Sequence, residues 1–273
     1  MIKVPFSVLM SIYAKEKPEY FELALESVCT QTVVPDEIVI VQDGEITSGL
    51  HYICNKYKQR YPNKFCIVSL KTNQGLGVAL QEGVKACSYE LIARMDTDDI
   101  AKPDRFERQL AEFEKNPELS LCGGYIAEFS TTLEKINSTR KVPLSYREIY
   151  EYAKQRNPFN HMTVMFKKKD ILAVGNYQPF HLNEDYYLWF RVLQAGYKVK
   201  NISAVLVFAR ADQKMIARRG GMEYLLQEIK LQKIFLKAGY ISYFSYVKNI
   251  GIRGTFRILP VPIRHILYKV CLR

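Results

Sequence analysis

The sequence predicts an α/β protein, Rossmann-like, with a mostly parallel central sheet flanked by helices and a basic helical extension at the C-terminal end. Three observations lead there. Over the first hundred residues, short apolar runs alternate with segments of helical period. Polar residues follow each of the first four apolar runs, at the carboxyl edge where such sheets bind ligands. Beyond Glu228 the acidic residues stop, while nine of the chain's 39 lysines and arginines follow.

PFSVLMSI (5–12) reads as a first buried strand, and Glu19 to Gln31 as a helix with Phe21, Leu25 and Val28 on one face. DEIVIVQ (36–42) is a second strand, followed by a helix around Tyr52 to Tyr57. KFCIVSLK (64–71) is a third, with a helix from Leu76 to Ala86, and ELIARM (90–95) a fourth. Pro103 is expected to open a helix that runs to Lys115, because proline is tolerated at a first helical position. LSLCGGYIAEF (119–129) is a further strand; 131–160 is less legible, with one helical pattern near Tyr146 to Lys154. HMTVMFK (161–167) reads as extended, and Glu184 to Ala195 as a helix with Asn183 at its N-cap and Gly196 as its stop. KVKNISAVLVF (198–208) returns to strand character, and Met222, Leu225, Leu226 and Ile229 mark the core face of a later helix. The boundaries drawn are a main domain over 1–215 and a basic amphipathic helical extension over 216–273.

With 273 residues, 48% of them hydrophobic and 25% charged, the chain can bury a full core, which excludes disorder as the default. Its six cysteines show no CxxC pair and no close histidine partner, so reduced thiols are expected rather than a zinc site or a disulfide framework. No apolar run reaches the roughly 18 residues needed to cross a bilayer. The run from Val4 to Ile12 lacks a small-residue cleavage site and reads as a strand rather than a leader, so a cytoplasmic location is expected. The tail interleaves its cations with Phe235, Tyr240, Tyr243, Phe244 and Tyr246, a composition suited to an anionic membrane surface. Nucleic acid is not the expected partner.

The chemistry is concentrated in ELIARMDTDDIAKPDRF (90–106), where three of the nine aspartates fall within four positions. Clustered carboxylates in a short loop suit hard cations such as Mn²⁺ or Mg²⁺, which keep water and substrate phosphate in their remaining positions. Asp96 and Asp98, two residues apart, can point the same way; Asp99 is out of step with them. A turn or a helix cap would use the same residues, and the triplet alone is a weak signal. Its place beside the other strand-end residues, Ser11, Tyr13, Asp43 and Asn73, favours a metal and a ligand at that edge.

FSVLMSIY, ESVCTQT, DEIVIVQDG, NQGLGVALQEG, ARMDTDD and NEDYYLWFRV together resemble the family 2 glycosyltransferases of GT-A fold, especially bacterial enzymes that build capsule, exopolysaccharide or lipopolysaccharide. The resemblance runs from about Phe6 to Asp212. It implies a nucleotide-binding half over 1–100 and an acceptor and catalytic half over 101–215. Ser11, Tyr13 and Asp43 would line a nucleoside pocket, Asn73 and Arg94 would lie near the nucleotide, Asp96 near the ribose, and Asp98 on the metal. Asp185 resembles the catalytic base of inverting members, and the macrodipole at its helix start favours an ionised carboxylate. Glu184 and Asp185 diverge by about 100° on a helix, so one can cap while the other works. Two departures stand out. Leu80 and Gln81 occupy positions where relatives carry an Arg-Asn pair, and Arg210 is followed by Asp212 where relatives place a metal-binding histidine. Asp212 is therefore the expected third ligand, and Arg210 a candidate diphosphate contact. His161 and Trp189 could touch an acceptor, but a lone histidine and an aromatic at helical spacing are more often structural.

The expected activity is metal-dependent, inverting transfer from a nucleotide sugar, a UDP-sugar first, to a lipid-linked or polysaccharide acceptor at the inner face of the cytoplasmic membrane. Two other enzyme classes use similar residues. A haloacid dehalogenase-like phosphohydrolase would place DTDDI on its first strand, whereas three strand and helix units precede it here. A nucleotidyltransferase would carry glycines after the first strand, and SIYAKEKPEY has none. A membrane or nucleic-acid binding module would explain the tail but not the aspartates.

Overall fold

The computed structural model describes residues 4–130, 132–211 and 221–258. Strands β1 (Phe6–Ile12), β2 (Glu37–Gln42), β3 (Phe65–Ser69) and β4 (Leu91–Arg94) alternate with helices α1 (Pro18–Cys29), α2 (Ser48–Arg60) and α3 (Leu76–Ala86). Then come β5 (Ile100–Ala101), α4 (Arg105–Lys115), β6 (Leu119–Phe129), β7 (Ile136–Arg140) and α5 (Tyr146–Ala153). A 3₁₀ turn (His161–Thr163) leads into β8 (Met165–Lys167), α6 (Lys168–Ala173), α7 (Glu184–Gln194) and β9 (Lys198–Arg210). Two last helices, α8 (Met222–Lys237) and α9 (Tyr243–Ile258), form a hairpin.

Among the described residues one sheet runs in the order β3-β2-β1-β4-β8-β6-β9-β5, with β7 added beside β6. β1 to β4 are mutually parallel, so their carboxyl ends share one edge. Beyond β4 the sheet is mixed: β8 is antiparallel to both β4 and β6, while β6 and β9 are parallel. Along β1, Phe6, Val8, Met10 and Ile12 enter the core that α1, α2 and α4 cover. Leu9 faces the opposite core, with Val39 and Val41, under α3, α7 and α8. Alternate side chains of a strand point to opposite faces, and both faces of this sheet are covered.

Three sequence expectations shift. Pro103 precedes the helix rather than opening it, and Asp104 holds the N-cap position before Arg105. Within 161–167 only Met165–Lys167 is strand, because the preceding residues close a 3₁₀ turn. The core face of α8 is only partly the expected one: Leu225 is buried and Ile229 half-buried, but Met222 and Leu226 are 62% and 58% exposed, while Glu228 and Gln232 are buried beside Leu231 and Phe235. The polar pair can go inside because α9 supplies partners. Arg253 pairs with Glu228, and Asn249 donates to Gln232 Oε1 at 2.9 Å. The hairpin thereby joins the main core, with Phe235 against Phe190 of α7 at 4.5 Å between ring centres. Cys29, Cys54, Cys66, Cys87 and Cys122 are free thiols, and burial raises Cys122 to about 12. Cys271 and the last fifteen residues of the basic extension lie outside the described residues.

Candidate active site

The carboxyl ends of β1 to β4 bring Ser11, Tyr13, Asp43, Asn73 and the Asp96 to Asp99 loop to one rim. Asp43, just past β2, is 4% exposed, and its carboxylate accepts from the amides of Gln74 at 2.7 Å and Gly75 at 2.9 Å. It thus holds the entry to α3, where orphan amides and the helix dipole favour an anion. Asn73 is exposed and donates from Nδ2 to the Asp43 carbonyl at 3.3 Å. This close approach needs a glycine at 44, with φ +82°, since a Cβ there would sit 2.6 Å from the Asn73 nitrogen.

The aspartate loop divides its carboxylates between two tasks. Asp99 is 2% exposed and accepts from the Arg210 amide at 2.7 Å, which ties the loop to the end of β9. Arg210 Nε donates to the Asp98 carbonyl at 3.2 Å, and its guanidinium lies over the Tyr20 ring at 3.8 Å. Asp96 pairs with the buried Arg94. Burial and the Asp96 charge push Asp98 up to about 6, and burial with both neighbouring carboxylates holds Asp99 well above the usual range. Such crowding is what a divalent cation would relieve, and the donors on offer are all oxygen, as Mn²⁺ and Mg²⁺ prefer. Among the described residues no three His, Cys, Asp or Glu side chains converge as a metal group, and Asp212 lies outside them. Asp96 and Asp98 fit a cation whose other positions go to water and substrate phosphate.

Arg94 connects this loop to the second half of the rim. It is 2% exposed, and its Nε and Nη1 have no hydrogen-bond partner. Arg105, fully buried, donates from Nη2 to the Arg94 carbonyl at 2.7 Å and holds the strand end. Burial and the Arg94 charge lower Arg105 to about 9.

Across from the loop, α7 begins with Glu184 and Asp185. Asp185 Oδ2 accepts from Asn157 Nδ2 at 2.6 Å, and Oδ1 accepts from the Tyr186 amide at 2.7 Å. Burial raises its pKa against these bonds and against the charges of Arg94 and Arg140. Desolvation is the largest influence on this carboxylate. Glu184 packs over α3, where a Cβ on Gly77 would meet its Cγ at 2.9 Å, and burial raises it too. The two carboxylates diverge, as adjacent helical positions must.

His161 Nε2 lies 2.9 Å from the Tyr177 hydroxyl, and burial with the Arg94 charge keeps its pKa well below the ordinary value. Trp189 is fully buried against Phe159, His161 and Tyr177, which prevents its ring from stacking on a sugar. Sequence reasoning misses Asn157, Tyr177 and Arg105; Asn157 falls in the least legible stretch, and no spacing marks it. A cavity of about 690 Å³ lined by Lys115, Leu119, Tyr146 and Lys198 lies at the amino ends of β6 and β9, the edge opposite the rim.

The family model "Glycosyl transferase family 2" matches residues 7–173. The chain is 40% identical over 268 residues to the UDP-Gal:alpha-D-GlcNAc-diphosphoundecaprenol beta-1,3-galactosyltransferase of Escherichia coli, covering 98% of this chain and 96% of that protein. It is 38% identical over 264 residues to the amylovoran biosynthesis glycosyltransferase AmsE of Erwinia amylovora, covering 97% and 98%. Among solved structures, S. aureus TarS 1-349 in complex with UDP-GlcNAc superposes with a TM-score of 0.67 at 17% identity, covering 99% of this chain and 76% of that one. The mannosyltransferase PcManGT from Pyrobaculum calidifontis, in complex with GDP-Man and Mn²⁺, gives 0.60 at 14% identity, covering 100% and 82%. These likenesses set aside the phosphohydrolase, nucleotidyltransferase and non-enzymatic readings. A parallel half-sheet ending in an aspartate loop, joined to a mixed half that carries a carboxylate at a helix start, is the GT-A fold, and the chain belongs to glycosyltransferase family 2.

Proposed function

We propose that this glycosyltransferase moves a sugar from a UDP-linked donor, with inversion, to a lipid-linked acceptor in surface polysaccharide assembly at the inner face of the cytoplasmic membrane. The observation that carries the reading is one rim with two acidic stations in different environments, the crowded Asp96 and Asp98 pair and the separately held Asp185, with Arg94 between them. The relatives add support: one is named for a UDP-Gal donor and a diphosphoundecaprenol-linked acceptor, another for amylovoran biosynthesis.

In this reading Ser11, Tyr13 and Asp43 line the nucleoside end, with Asn73 beside them, and Arg210 and the open N–H groups of Arg94 face the diphosphate side. Asp96 and Asp98 would hold Mn²⁺ or Mg²⁺, which when bound supplies the positive charge that stabilises a departing diphosphate. Asp185 accepts the proton of the acceptor hydroxyl as its oxygen attacks the anomeric carbon. The nucleoside diphosphate leaves from the opposite face, and one displacement gives one inversion. Burial of Asp185 raises its proton affinity, which strengthens it as a base once ionised.

The test offers UDP-galactose, UDP-glucose, UDP-N-acetylglucosamine and GDP-mannose with an N-acetylglucosaminyl-diphosphate lipid, with Mn²⁺ or with EDTA. Turnover of a UDP-sugar only in Mn²⁺, giving a β-linked product from the α-linked donor, is expected. Equal turnover in EDTA would remove the metal, and retained anomeric configuration would remove Asp185 as the base of a single displacement.

No helix among the described residues is long and apolar enough to cross a membrane. The outer face of α9, however, exposes Tyr243 at 72%, Phe244 at 78% and Val247 at 51%, beside exposed Lys248. We assign this face to the surface of an anionic bilayer. Changing Phe244 and Val247 together to serine is expected to reduce sedimentation with phosphatidylglycerol vesicles by more than about tenfold, since burying such a side chain contributes roughly 1.5–3 kcal/mol. Undiminished sedimentation would count against this face. Point changes suit the question better than truncation after Ala238, which would strip Asn249 and Arg253 from the buried polar residues of α8.

A further inference from the structure

We infer that Asn157 is the positioning residue of the base, a side chain that fixes the direction in which the Asp185 carboxylate is offered to the acceptor hydroxyl. The inference rests on the reading of Asp185 as the base. Asn157 lies in the loop between α5 and the 3₁₀ turn, and its Nδ2 donates to Asp185 Oδ2 at 2.6 Å. Its own amide orientation is determined locally: the Phe159 N–H donates to Asn157 Oδ1 at 3.2 Å, so oxygen must face Phe159 and the amino group must face the carboxylate. With Oδ1 of Asp185 engaged by the Tyr186 amide, each carboxylate oxygen has one donor. The side chain cannot turn about its terminal torsion without losing both bonds, so its remaining lone pairs are held in constant directions.

A positioning residue needs a rigid support, and this loop has one. Tyr186 of α7 donates from its hydroxyl to the Ala153 carbonyl at 2.6 Å. Asn249 of α9 donates to the Lys154 carbonyl at 2.9 Å, and Arg253 of α9 to that of Gln155. Arg140 of β7 donates to the carbonyl of Asn157 itself at 3.3 Å. The open end of α5 is thus closed by side chains from α7 and α9, and the residue that leaves this closed end is the one that reaches Asp185. The buried polar residues of the C-terminal hairpin, puzzling as core residues, serve this closure.

Among the described residues, the titratable and charged groups coupled to Asp185 include Glu184 and Tyr186 on its own helix, Arg94 from β4, Arg140 from β7, and Tyr177 from the segment between α6 and α7. Asn157 is uncharged, and it favours the ionised carboxylate by donating to it.

Asn157→Asp is the informative variant. It keeps the shape and the acceptor for Phe159, and it loses only the permanent donor. The introduced carboxyl can donate to Asp185 only while the pair holds one proton, and two carboxylates in contact titrate as a unit. Wild-type kcat should rise with pH to a plateau, whereas kcat of the variant should rise and then fall by at least about tenfold on the alkaline side as that shared proton leaves. The donor KM should remain within about threefold, because the Asn157 side chain bonds Asp185 and the Phe159 amide rather than residues assigned to the nucleotide. Asn157→Ala should move the acidic limb up by about one pH unit. The carboxyl ¹³C resonance of Asp185, identified by its loss in Asp185→Asn, should titrate higher in Asn157→Ala than in wild type, a readout that needs no turnover. A wild-type plateau in Asn157→Asp, or an unmoved Asp185 titration in Asn157→Ala, overturns the inference. An inactive Asp185→Asn combined with such a plateau removes only the role of Asn157. A fully active Asp185→Asn removes the base itself.

Discussion

Asp185→Asn is expected to bind the nucleotide sugar as wild type does and to lose about 10²–10⁴-fold in kcat, the usual contribution of a positioned general base. The substitution is isosteric, but its one amide oxygen can accept from Asn157 or from the Tyr186 amide and not from both, so one of the two bonds is lost. Stability gives an internal control whose sign follows from the raised pKa of Asp185. A carboxyl whose pKa is higher in the folded than in the unfolded chain costs nothing at pH values below the unfolded pKa. Its full cost appears above the folded pKa, where the fold must hold an ionised, desolvated group. At neutral pH asparagine removes that cost, which offsets the lost hydrogen bond, so the variant should melt close to wild type. Lost transfer with a near-wild-type Tm would identify a chemical defect; a clearly lowered Tm would mean that the carboxylate's two hydrogen bonds support the fold instead. In the wild type, kcat should fall with acidification at a pH above the ordinary aspartate range, because the base must be ionised to work.

Asp98→Asn is expected to weaken Mn²⁺-dependent UDP binding by more than the roughly 10–100-fold that losing an outer-shell partner of a metal costs. Binding of UDP in EDTA should not change. Asp98 is the cleaner choice over Asp96, whose replacement would also leave Arg94 without its ion-pair partner in a buried place. Isothermal titration with UDP in the two buffers measures both quantities. Equal affinity with and without Mn²⁺ in the wild type would sink the ligand assignment before any variant is made. Removal of one carboxylate from a crowded trio also predicts that metal-free Asp98→Asn melts at or above the wild type, and that the rise in Tm on adding Mn²⁺ and UDP disappears.

Much of the architecture is legible along the chain. The limits of α3 and β6 match the sequence reading at both ends, because Gly75 precedes a clean helical period and Leu119–Phe129 is an unbroken run suited to a strand covered on both faces. Short elements escape it: β5 has two residues, and β7 reads INSTR, whose polar pattern suits an exposed edge as well as a loop. The α8 face misleads for a definite reason. Amphipathic period assumes that polar residues face water, and Glu228 and Gln232 violate it only because α9 supplies Arg253 and Asn249.

The rim residues are legible for the same local reasons as the strands. A parallel strand's carboxyl end is a ligand edge by topology, so Asp43 and the Asp96 to Asp99 loop can be placed from strand order alone. Their partners cannot. That Asp43 faces the amides of Gln74 and Gly75, and that Asp99 faces β9 rather than its two neighbours, depends on how loops pack against one another.

What the chain's order of residues determined by itself is therefore the alternation of strand and helix, the edge at which acids gather, and a helix that starts on Glu184 and Asp185. Each follows from period, end residues or dipole within a few positions. What only the tertiary structure decided is the direction of β8 and the burial of Arg94 with open N–H groups. It also decided the bond from Asn157 to a carboxylate 28 residues away. Those depend on packing between distant segments, where one desolvated hydrogen bond or ion pair outweighs local propensity, and no pattern of neighbours along the chain encodes which pair will meet.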